Sequence, residues 1–326
     1  MRMKSRNNRG GALLAVMWLS AALSAIAFSL ANTVRGEIER SATAVDGLRA
    51  QYLAQAGIER GILYVEWGRQ NKMPPNLPIR YSAATPVLPF SFPSGQVLVE
   101  VVPETAKMNV NTARPADLLR LLMALGVDGD RAAQTVELIL MRRGSGGTAP
   151  ARPLNASLAS SFQAPPASFQ ETEELMALPG ITPELYYGGF NRDSEGHLAP
   201  RTGLKDCLSV FGATDRFDIN FAQPPVLAAI GIPPDAIPAI VARRRLQPFK
   251  NVQELKDLAP GGGPGFGHLR IGGNSIFTFR STARLLLQNG QLSDLQRTAA
   301  ATVKFLPLDE NPTLQILRWY DNAWTP

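Results

Sequence analysis

The sequence predicts an α+β fold in which a long N-terminal helix leads into an antiparallel sheet, and a large all-α domain with a duplicated helical-hairpin unit is inserted into that sheet. Three observations predict it. All 26 prolines lie after residue 73, so a helix can run uninterrupted through the first part of the chain. Strand patterns occur at 96–102 and then only beyond residue 274. Between them, two stretches of ten residues repeat each other.

Composition limits the chemistry that the chain can perform. It has 326 residues, of which 45% are hydrophobic and 18% charged, and this predicts packed cores. The two histidines, His197 and His268, and the single cysteine, Cys207, cannot build a cysteine-rich zinc site, an iron–sulfur cluster or a disulfide framework within one chain. Neither histidine lies in a recognisable catalytic motif.

The charge distribution argues against a nucleic-acid partner. The net charge is +6, but four of the positive charges lie in the first ten residues, where there is no acid. Subtracting those four leaves +2 for residues 11–326. The basic balance therefore belongs mostly to the N-terminal tail and not to the folded part of the chain.

The N-terminal region contains a candidate membrane span. Residues 10–34 carry no charge, and the apolar run 12–31 is long enough to cross about 30 Å of hydrocarbon as a helix. Because the four positive charges precede this run, the positive-inside rule predicts a single pass with a cytoplasmic N-terminus. The bulk of the chain is then expected outside the cytoplasm, which in a bacterium is the periplasm.

Three interpretations of this segment compete. It can be a secretory signal cut after the small residues 25–27, an ordinary signal anchor, or a prepilin-type leader 1–10 that is cut between Gly10 and Gly11 so that the helix 11–34 is kept. A basic stretch that ends in glycine directly before the apolar run favours the third. So does the absence of proline, since a secretory signal gives no reason for helical character to continue past its cleavage site.

Helical character does continue. Val45, Leu48, Tyr52 and Ala56 recur at spacings of three and four residues, which is typical of one face of a helix. We expect one helix of about 55 residues, roughly 80 Å long, with one half in lipid and the other half an amphipathic rod. The alternative is a membrane anchor followed by a separate surface helix.

The strand patterns predict one sheet interrupted by an insertion. Residues 72–95 are rich in proline and are expected to form a loop. The β-branched, alternating run 96–102 is a predicted strand, and the next strands are predicted at 275–280, 299–305 and 314–320.

The insertion contains an internal repeat. Residues 109–118 (NVNTARPADL) match residues 218–227 (DINFAQPPVL) at four positions, and the two copies extend over 108–186 and 217–260. The Asn-x-Ala-x-Pro pattern is typical of a helix entry. Each copy continues to an Ile/Val-rich helix that ends in arginines, and then to a phenylalanine with Glu-Leu five residues later.

The tight turns between the short helices resemble helix-hairpin-helix turns, and this supports an alternative function as a membrane-anchored nucleic-acid-binding protein. Such turns bring two glycine N–H groups near a phosphate. Here Asp128, Thr182 and Pro233 stand where the second glycine is needed, and an aspartate repels phosphate while a proline has no N–H. The arginines are also typical of solvated helix C-termini.

Taken together, these features resemble the K-type minor pseudopilin of the type II secretion system (the general secretion pathway protein K family). The resemblance is carried by the leader ending in Gly10, the YLAQAGIERG stretch at 52–61, the NVNTA and DINFA repeats, and the two Phe…Glu-Leu elements. The order of these features covers nearly the whole chain. A local departure is that the second repeat has Phe221 where the first has Thr112.

The resemblance implies a non-enzymatic inner-membrane protein that helps initiate and cap the tip of a periplasmic pseudopilus. It implies a pilin-like fold, processing by the prepilin peptidase, and contacts with the I-type and J-type minor pseudopilins, the major pseudopilin and the inner-membrane assembly platform. No nucleic acid is expected. Five segments follow: the leader 1–10, the transmembrane half of the helix 11–34, the rod helix and first part of the pilin-like domain 35–106, the inserted domain 107–267, and the C-terminal strands 268–326.

One residue of the span fits a position at the tip. Ordinary pilins carry a glutamate as the fifth residue after the cut, where it pairs with the N-terminal amine of the subunit ahead. Cleavage after Gly10 makes this fifth residue Ala15. A first subunit has no amine to neutralise, and an unpaired carboxylate in lipid would cost about 2–3 kcal/mol or more.

A polar stretch in the insertion is a candidate calcium loop. Asn191, Asp193 and Glu195 supply oxygens at positions 1, 3 and 5, and glycine follows at position 6. Thr202 at position 12, where an EF-hand has glutamate, excludes a complete EF-hand. The family resemblance implies calcium in the inserted domain without fixing its ligands, and the competing interpretation of this stretch is a polar surface turn.

Overall fold

The computed structural model describes residues 9–70, 87–144, 168–192, 196–255, 263–273, 275–307 and 312–323. Its helices are α1 Arg9–Gln70, α2 Pro115–Ala124, α3 Gly129–Arg142, α4 Pro183–Tyr187, α5 Leu204–Cys207, α6 Pro224–Ala229 and α7 Ala236–Leu246. Its strands are β1 Val87–Phe92, β2 Gly95–Pro103, β3 Met108–Asn109, β4 Gly189–Arg192, β5 Leu198–Arg201, β6 Leu208–Ser209, β7 Phe217–Asp218, β8 Leu269–Arg270, β9 Ile276–Leu286, β10 Leu292–Phe305 and β11 Leu314–Tyr320. These elements confirm the α+β class.

The first helix is continuous over 62 residues, about 93 Å at 1.5 Å per residue. The prediction of one long helix is therefore confirmed over that of an anchor with a separate surface helix. Its C-terminal half packs on one face of the sheet. The helix side chains buried there are Ala50, Leu53, Ala54, Ile58, Ile62 and Val65.

The apolar stripe that the sequence singled out is not the buried one. Val45, Leu48 and Tyr52 are 46%, 59% and 67% exposed. Two stripes with the same helical period run along this half of α1, and periodicity alone does not distinguish them. The buried stripe is the one that contains the glycines, because it must approach the sheet closely.

Gly57 and Gly61 allow that approach. A Cβ atom at Gly57 would lie 2.3 Å from Val97 Cγ1 and 2.4 Å from Ser281 Oγ, and one at Gly61 would lie 3.1 Å from Val99 Cγ1. Side chains at these positions would push the helix away from β2 and β9. Packing against the sheet therefore offsets the low helix propensity of glycine.

The sheet has five antiparallel strands in the order β1-β2-β9-β10-β11. The prediction that residues 72–95 form only a loop is wrong in part, because Val87–Phe92 is the edge strand β1. An edge strand tolerates Pro89, since one side of its backbone has no partner strand. The predicted strand at 314–320 matches β11 in both bounds.

The insertion leaves the sheet at the end that lies farthest from the apolar segment. An added Cβ at Gly95 would lie 2.9 Å from Leu53, whereas Val97 faces Gly57 and Val99 faces Gly61. Strand β2 therefore runs alongside α1 in the same direction as the helix. The chain departs after Pro103 and returns at Ile276, both beside the C-terminal end of α1.

The inserted chain builds a second hydrophobic core of its own, extending from Met108 to Leu269. The prediction of an all-α insertion is incomplete, because the insertion also holds three two-stranded sheets: β3-β6, β4-β5 and β7-β8. Two of them pair in parallel, Met108 opposite Leu208 and Phe217 opposite Leu269. The first strand of each parallel pair opens one copy of the repeat, and its partner strand follows beyond the end of that copy.

Candidate functional site

The N-terminal part of α1 carries the predicted cleavage and tip residues. Gly10 and Gly11 are both helical, and Ala15 is exposed one turn further along. A Cβ at Gly11 would meet no atom within 4 Å, so packing within the chain does not explain this glycine. The helix is long and apolar enough to cross a membrane. Its exposed large hydrophobic residues include Leu13, Leu14, Val16, Met17, Trp18 and Leu19.

Each copy of the repeat is closed by an asparagine that binds the backbone of a distant phenylalanine. Asn111 donates through Nδ2 to the Phe169 carbonyl at 2.9 Å and accepts at Oδ1 from the Phe169 N–H at 2.8 Å. Asn220 makes the same two bonds to Phe249, at 3.0 and 2.8 Å. The phenylalanine side chains are buried in the core of the insertion. The asparagine thus fixes the segment that follows the second helix of each copy.

The arginines at the end of the second helix of each copy add hydrogen bonds that close the same unit. Arg143 donates to the carbonyls of Val110 and Ala113, both at 2.9 Å. Arg244 donates to the carbonyls of Ile219 and Ala222, both at 2.7 Å. Burial lowers the pKa of Arg143. It lowers that of Arg244 to about 10, opposed by the Asp218 charge and reinforced by Arg245.

In each copy, the arginine one position earlier forms an ion pair with a glutamate. Arg142 lies 3.0 Å from Glu174 Oε2, and Arg243 lies 3.4 Å from Glu254 Oε2. The guanidinium groups also lie over the Phe169 and Phe249 rings, at 5.6 and 5.5 Å from their centroids. These four arginines hold the repeats together. They are not the solvated helix ends that the sequence suggested, and they do not indicate a phosphate-binding site.

Two of the three hairpin turns are stabilised by the residue that replaces the second glycine. The remaining glycines of the three turns have left-handed backbone angles, with φ of +86°, +93° and +91° at Gly126, Gly180 and Gly231. Asp128 Oδ1 accepts from the Asp130 N–H at 3.0 Å and so caps α3. Thr182 caps α4 through the Leu185 N–H at 3.3 Å. Two of the turns are therefore helix caps, and in the first a carboxylate occupies the position that a phosphate would need. In the third turn Pro233 has no N–H to donate.

Of the three candidate calcium residues, the structure describes only Asn191, on β4. Asn191 is opposite Ala199 in an antiparallel ladder. Asp193 and Glu195 lie outside the described residues. Among the residues that are described, no group of three or more His, Cys, Asp or Glu side chains is arranged to hold a metal ion.

A buried carboxylate joins the insertion to the sheet. Glu104 accepts hydrogen bonds from Ser209 of β6 and, at 2.7 Å, from Thr278 of β9, and its Oε1 lies 3.3 Å from Lys107 Nζ. Burial alone would raise the pKa of Glu104, but the Lys107 charge and these hydrogen bonds outweigh it and hold the pKa below its ordinary value. No sequence pattern pointed to this residue, because its partners Ser209 and Thr278 are 105 and 174 residues away.

A second buried carboxylate lies in the second repeat. Asp218 is fully buried and accepts the Asn220 N–H at 2.7 Å through Oδ1. Its Oδ2 has no hydrogen-bond partner among the described residues. Burial raises the pKa of Asp218 to about 6, although the N–H groups of Asn220, Gly272 and Phe221 and the Arg270 charge act in the opposite direction.

A cleft of about 870 Å³ separates the outer face of the sheet from the insertion. The sheet contributes Glu100 of β2 and Arg280 of β9, which face each other at 3.5 Å. The insertion contributes Tyr187 and Phe190, which are 47% and 60% exposed. No sequence pattern indicated this cleft. Its lining also includes Arg201, Lys205, Phe221 and Arg245.

Comparisons with known proteins give a fold likeness. The sequence matches no protein-family model and no curated protein. The structure is similar to a chain in "The Crystal Structure of the GspK-GspI-GspJ complex from enterotoxigenic Escherichia coli Type 2 Secretion System", with a TM-score of 0.53 and 15% sequence identity. The alignment covers 88% of this chain and 100% of that one. At this identity the likeness establishes a shared fold only.

Proposed function

We propose that this chain is a K-type minor pseudopilin that helps initiate and cap the tip of a type II secretion pseudopilus, without enzymatic activity. The observation that carries the proposal is the position of the insertion: a large helical domain stands at the end of a pilin-like sheet that is farthest from the membrane segment.

The extent of the structural likeness supports the K type over the smaller pilins. The residues outside the inserted domain 107–267 make up about half of the chain. A match over 88% of the chain must therefore include most of the insertion, and it accounts for the whole of the other chain. A pilin that consisted only of a helix and a sheet would leave the insertion unmatched.

The insertion also supports the tip position on steric grounds. Subunits of a pilus are stacked along the filament with their membrane helices toward the base. A domain at the membrane-distal end of the sheet then occupies the volume that the next subunit ahead would need. At the tip no subunit lies ahead, so the insertion has room.

The membrane segment fits the same role. We propose that the prepilin peptidase removes residues 1–10 between Gly10 and Gly11, and that residues 11–34 then anchor the protein in the inner membrane with its bulk in the periplasm. Ala15, in place of a glutamate, suits a subunit with no N-terminal amine ahead of it. The segment boundaries at 35–106, 107–267 and 268–326 belong to the same proposal.

The nucleic-acid alternative has little support. Its motivation was the resemblance of the tight turns to helix-hairpin-helix turns, with the arginine clusters beside them. Four of those arginines bind carbonyl oxygens and glutamates within the repeats. The turns that would approach a phosphate carry a capping aspartate or a proline.

Co-purification tests the proposal. The full chain is expressed with I-type and J-type minor pseudopilins, the assembly platform and the prepilin peptidase, extracted in mild detergent, and purified through a tag on this chain. We expect a ternary complex. We propose the exposed stripe of α1 formed by Val45, Leu48 and Tyr52 as the contact surface for these partners. Leu48→Asp should therefore remove both partners, whereas Glu37→Ala, which lies earlier on the exposed helix, should retain them. Recovery of the wild-type chain alone, or with duplex DNA, would contradict the proposal.

A further inference from the structure

The cleft between the sheet and the insertion contains residues that the repeat itself does not require. In the first copy, Thr112 occupies the position of Phe221, and Gly144 follows the two binding arginines where the second copy has Arg245. Both copies form the same asparagine and arginine contacts. The large side chains of Phe221 and Arg245 are therefore not needed to build the unit, and both line the cleft.

The other wall is likewise an addition to the repeat. It consists of the end of α4 and the β4–β5 hairpin, which has no counterpart in the second copy. This wall presents Tyr187 and Phe190, both largely exposed. Lys205 Nζ lies 5.6 Å from the Tyr187 ring centroid. Exposed aromatic rings beside cations form a surface suited to an apolar side chain flanked by carboxylates.

The charge of the cleft is positive. Five cationic side chains line it against three carboxylates. One of the five, Lys107, is paired with the buried Glu104, and counting that carboxylate leaves a net of +1. Arg280 is paired with Glu100, and Arg201 donates to the Glu184 carbonyl at 3.2 Å. Arg245 is exposed and forms no salt bridge with an acid in the described part of the chain. Its charge is available to a ligand. The cationic lining residues are Lys107, Arg201, Lys205, Arg245 and Arg280.

The position of the cleft distinguishes between anionic partners. Its sheet residue Glu100 adjoins Val99, which faces Gly61 of α1. Gly61 is 27 residues beyond Val34, where the uncharged segment ends, or about 40 Å along the helix. Lipid headgroups of the membrane that anchors the chain are out of reach. A cleft of this size, partly open to solvent, accommodates a short extended peptide.

We propose that this cleft binds an extended acidic segment of a partner protein, with an apolar or aromatic side chain held among Tyr187, Phe190 and Phe221 and a carboxylate held at Arg245. The inference goes beyond the assembly role and does not depend on it. The β1 edge is an unsuitable docking strand, because Pro89 lacks one backbone donor. Recognition therefore rests on side-chain contacts in the cleft.

Peptide binding to the full chain tests the inference. The chain is reconstituted in nanodiscs of phosphatidylcholine and titrated with the fluorescein-labelled peptide GSDFEPDG, with GSKFKPKG as the charge-reversed control, by fluorescence anisotropy. We expect saturable binding of the acidic peptide with a Kd of about 10–100 μM at low salt, weakening as the salt concentration rises. The basic peptide should not bind.

Variants that remove the two side chains absent from the first repeat assign the site. Phe221→Thr and Arg245→Ala should each weaken binding by about fivefold or more, whereas Lys250→Ala, an exposed cation of the same repeat outside the cleft, should leave it unchanged. Unaltered thermal melting of the variants excludes unfolding as the cause. Equal binding of both peptides, unchanged affinity in both cleft variants, binding only to added phosphatidylglycerol vesicles, or a dimer of this chain that either variant dissociates would overturn the proposal.

Discussion

Asn109 and Asp218 occupy the same position in the two repeats, and the first has a side-chain amide where the second has a carboxyl group. Asn109 donates through Nδ2 to the carbonyls of Val210 and Gly212, at 3.1 and 3.4 Å, while its Oδ1 accepts the Asn111 N–H. Asp218 Oδ1 likewise accepts the Asn220 N–H. An ionised Asp218, however, has no N–H or O–H with which to donate as Asn109 Nδ2 does, and its Oδ2 has no partner among the described residues. The second repeat therefore carries a buried charge that the first avoids.

Asp218→Asn should stabilise the protein at neutral pH. The folded-state pKa of about 6 is raised above the ordinary value of 3.8, so ionisation costs stability above pH 6 and the cost disappears as the pH falls through the ordinary value. The gain should be roughly 2–3 kcal/mol at pH 7.5 and less than about 1 kcal/mol near pH 4. Denaturant unfolding of the full chain in detergent across this range measures it. The reciprocal Asn109→Asp should destabilise, and a pH-independent difference for Asp218→Asn would contradict the assignment.

Ala15→Glu tests the tip position at a single residue. The new carboxylate would lie about one helical turn inside the bilayer with no amine ahead of it, at a cost of about 2–3 kcal/mol or more. Processing of the leader should be unaffected, because the glycine and the basic flank are unchanged. We expect normal amounts of processed protein but few or no pseudopili and lost secretion. Wild-type secretion by this variant would show that Ala15 is only a tolerated helix residue.

At the scale of elements, α1 and the repeats show how far the sequence can predict structure. The repeat was evident because its asparagines, arginines and phenylalanines recur in order. Their contacts could not be predicted, since Asn111 and Phe169 are 58 residues apart and only the fold brings them together. Strand β1 could not be predicted, because a proline-rich sequence indicates a loop. Proline is tolerated in a strand at the edge of a sheet, but the sequence alone does not show that this strand lies at the edge.

The cleft could not be predicted for a related reason. Its lining comes from strands of the sheet, from α4 to α7, and from the β4–β5 hairpin, and no short sequence pattern connects them. The one signal was the departure of Phe221 from Thr112 in the repeat alignment. Within α1, the periodicity of large apolar residues predicted a stripe that is exposed in the structure. The stripe that packs on the sheet contains glycines, which allow the close approach and which a search for large apolar residues does not detect.

Gly57→Ala tests the close packing of α1 on the sheet. The added Cβ would meet Val97 and Ser281 at 2.3 and 2.4 Å, so we expect a loss of about 1–3 kcal/mol in unfolding free energy despite the better helix propensity of alanine. Gly36→Ala is the matched control, since a Cβ there meets no atom within 4 Å. It should be neutral or slightly stabilising. Equal effects of the two substitutions in thermal melts would contradict the packing argument.

At the scale of the whole molecule, two cores must keep one relative position if the insertion is to close the tip. The core under α1 and the core of the insertion are separate sets of buried side chains. Glu104 connects them through Ser209 on one side and Thr278 on the other. This carboxylate is therefore a structural link between the two cores.

Glu104→Gln should loosen that link. Because the folded pKa of Glu104 is lowered, its contribution to stability is present above the ordinary value of 4.5 and is lost only as the pH falls through the lowered folded value. We expect a loss of roughly 2–4 kcal/mol at pH 7 that shrinks progressively below the ordinary value. Limited proteolysis and melting in a series of buffers from neutral pH to well below the ordinary value measure it, and a destabilisation of the same size throughout the series would exclude an ionised link.

The N-terminus of the mature protein distinguishes a pilin-type chain from a secreted one, because the pilin-type role requires a membrane helix that is kept after the leader is cut. The full chain is co-expressed with a prepilin peptidase, purified from inner membranes, and analysed by intact-protein and N-terminal mass spectrometry, with Gly10→Val as the uncleavable control. We expect a chain that begins at Gly11, and only when the peptidase is present. A chain that begins at Phe28, after a cut behind residues 25–27, or one that still begins at Met1 in the presence of active peptidase, would contradict this expectation.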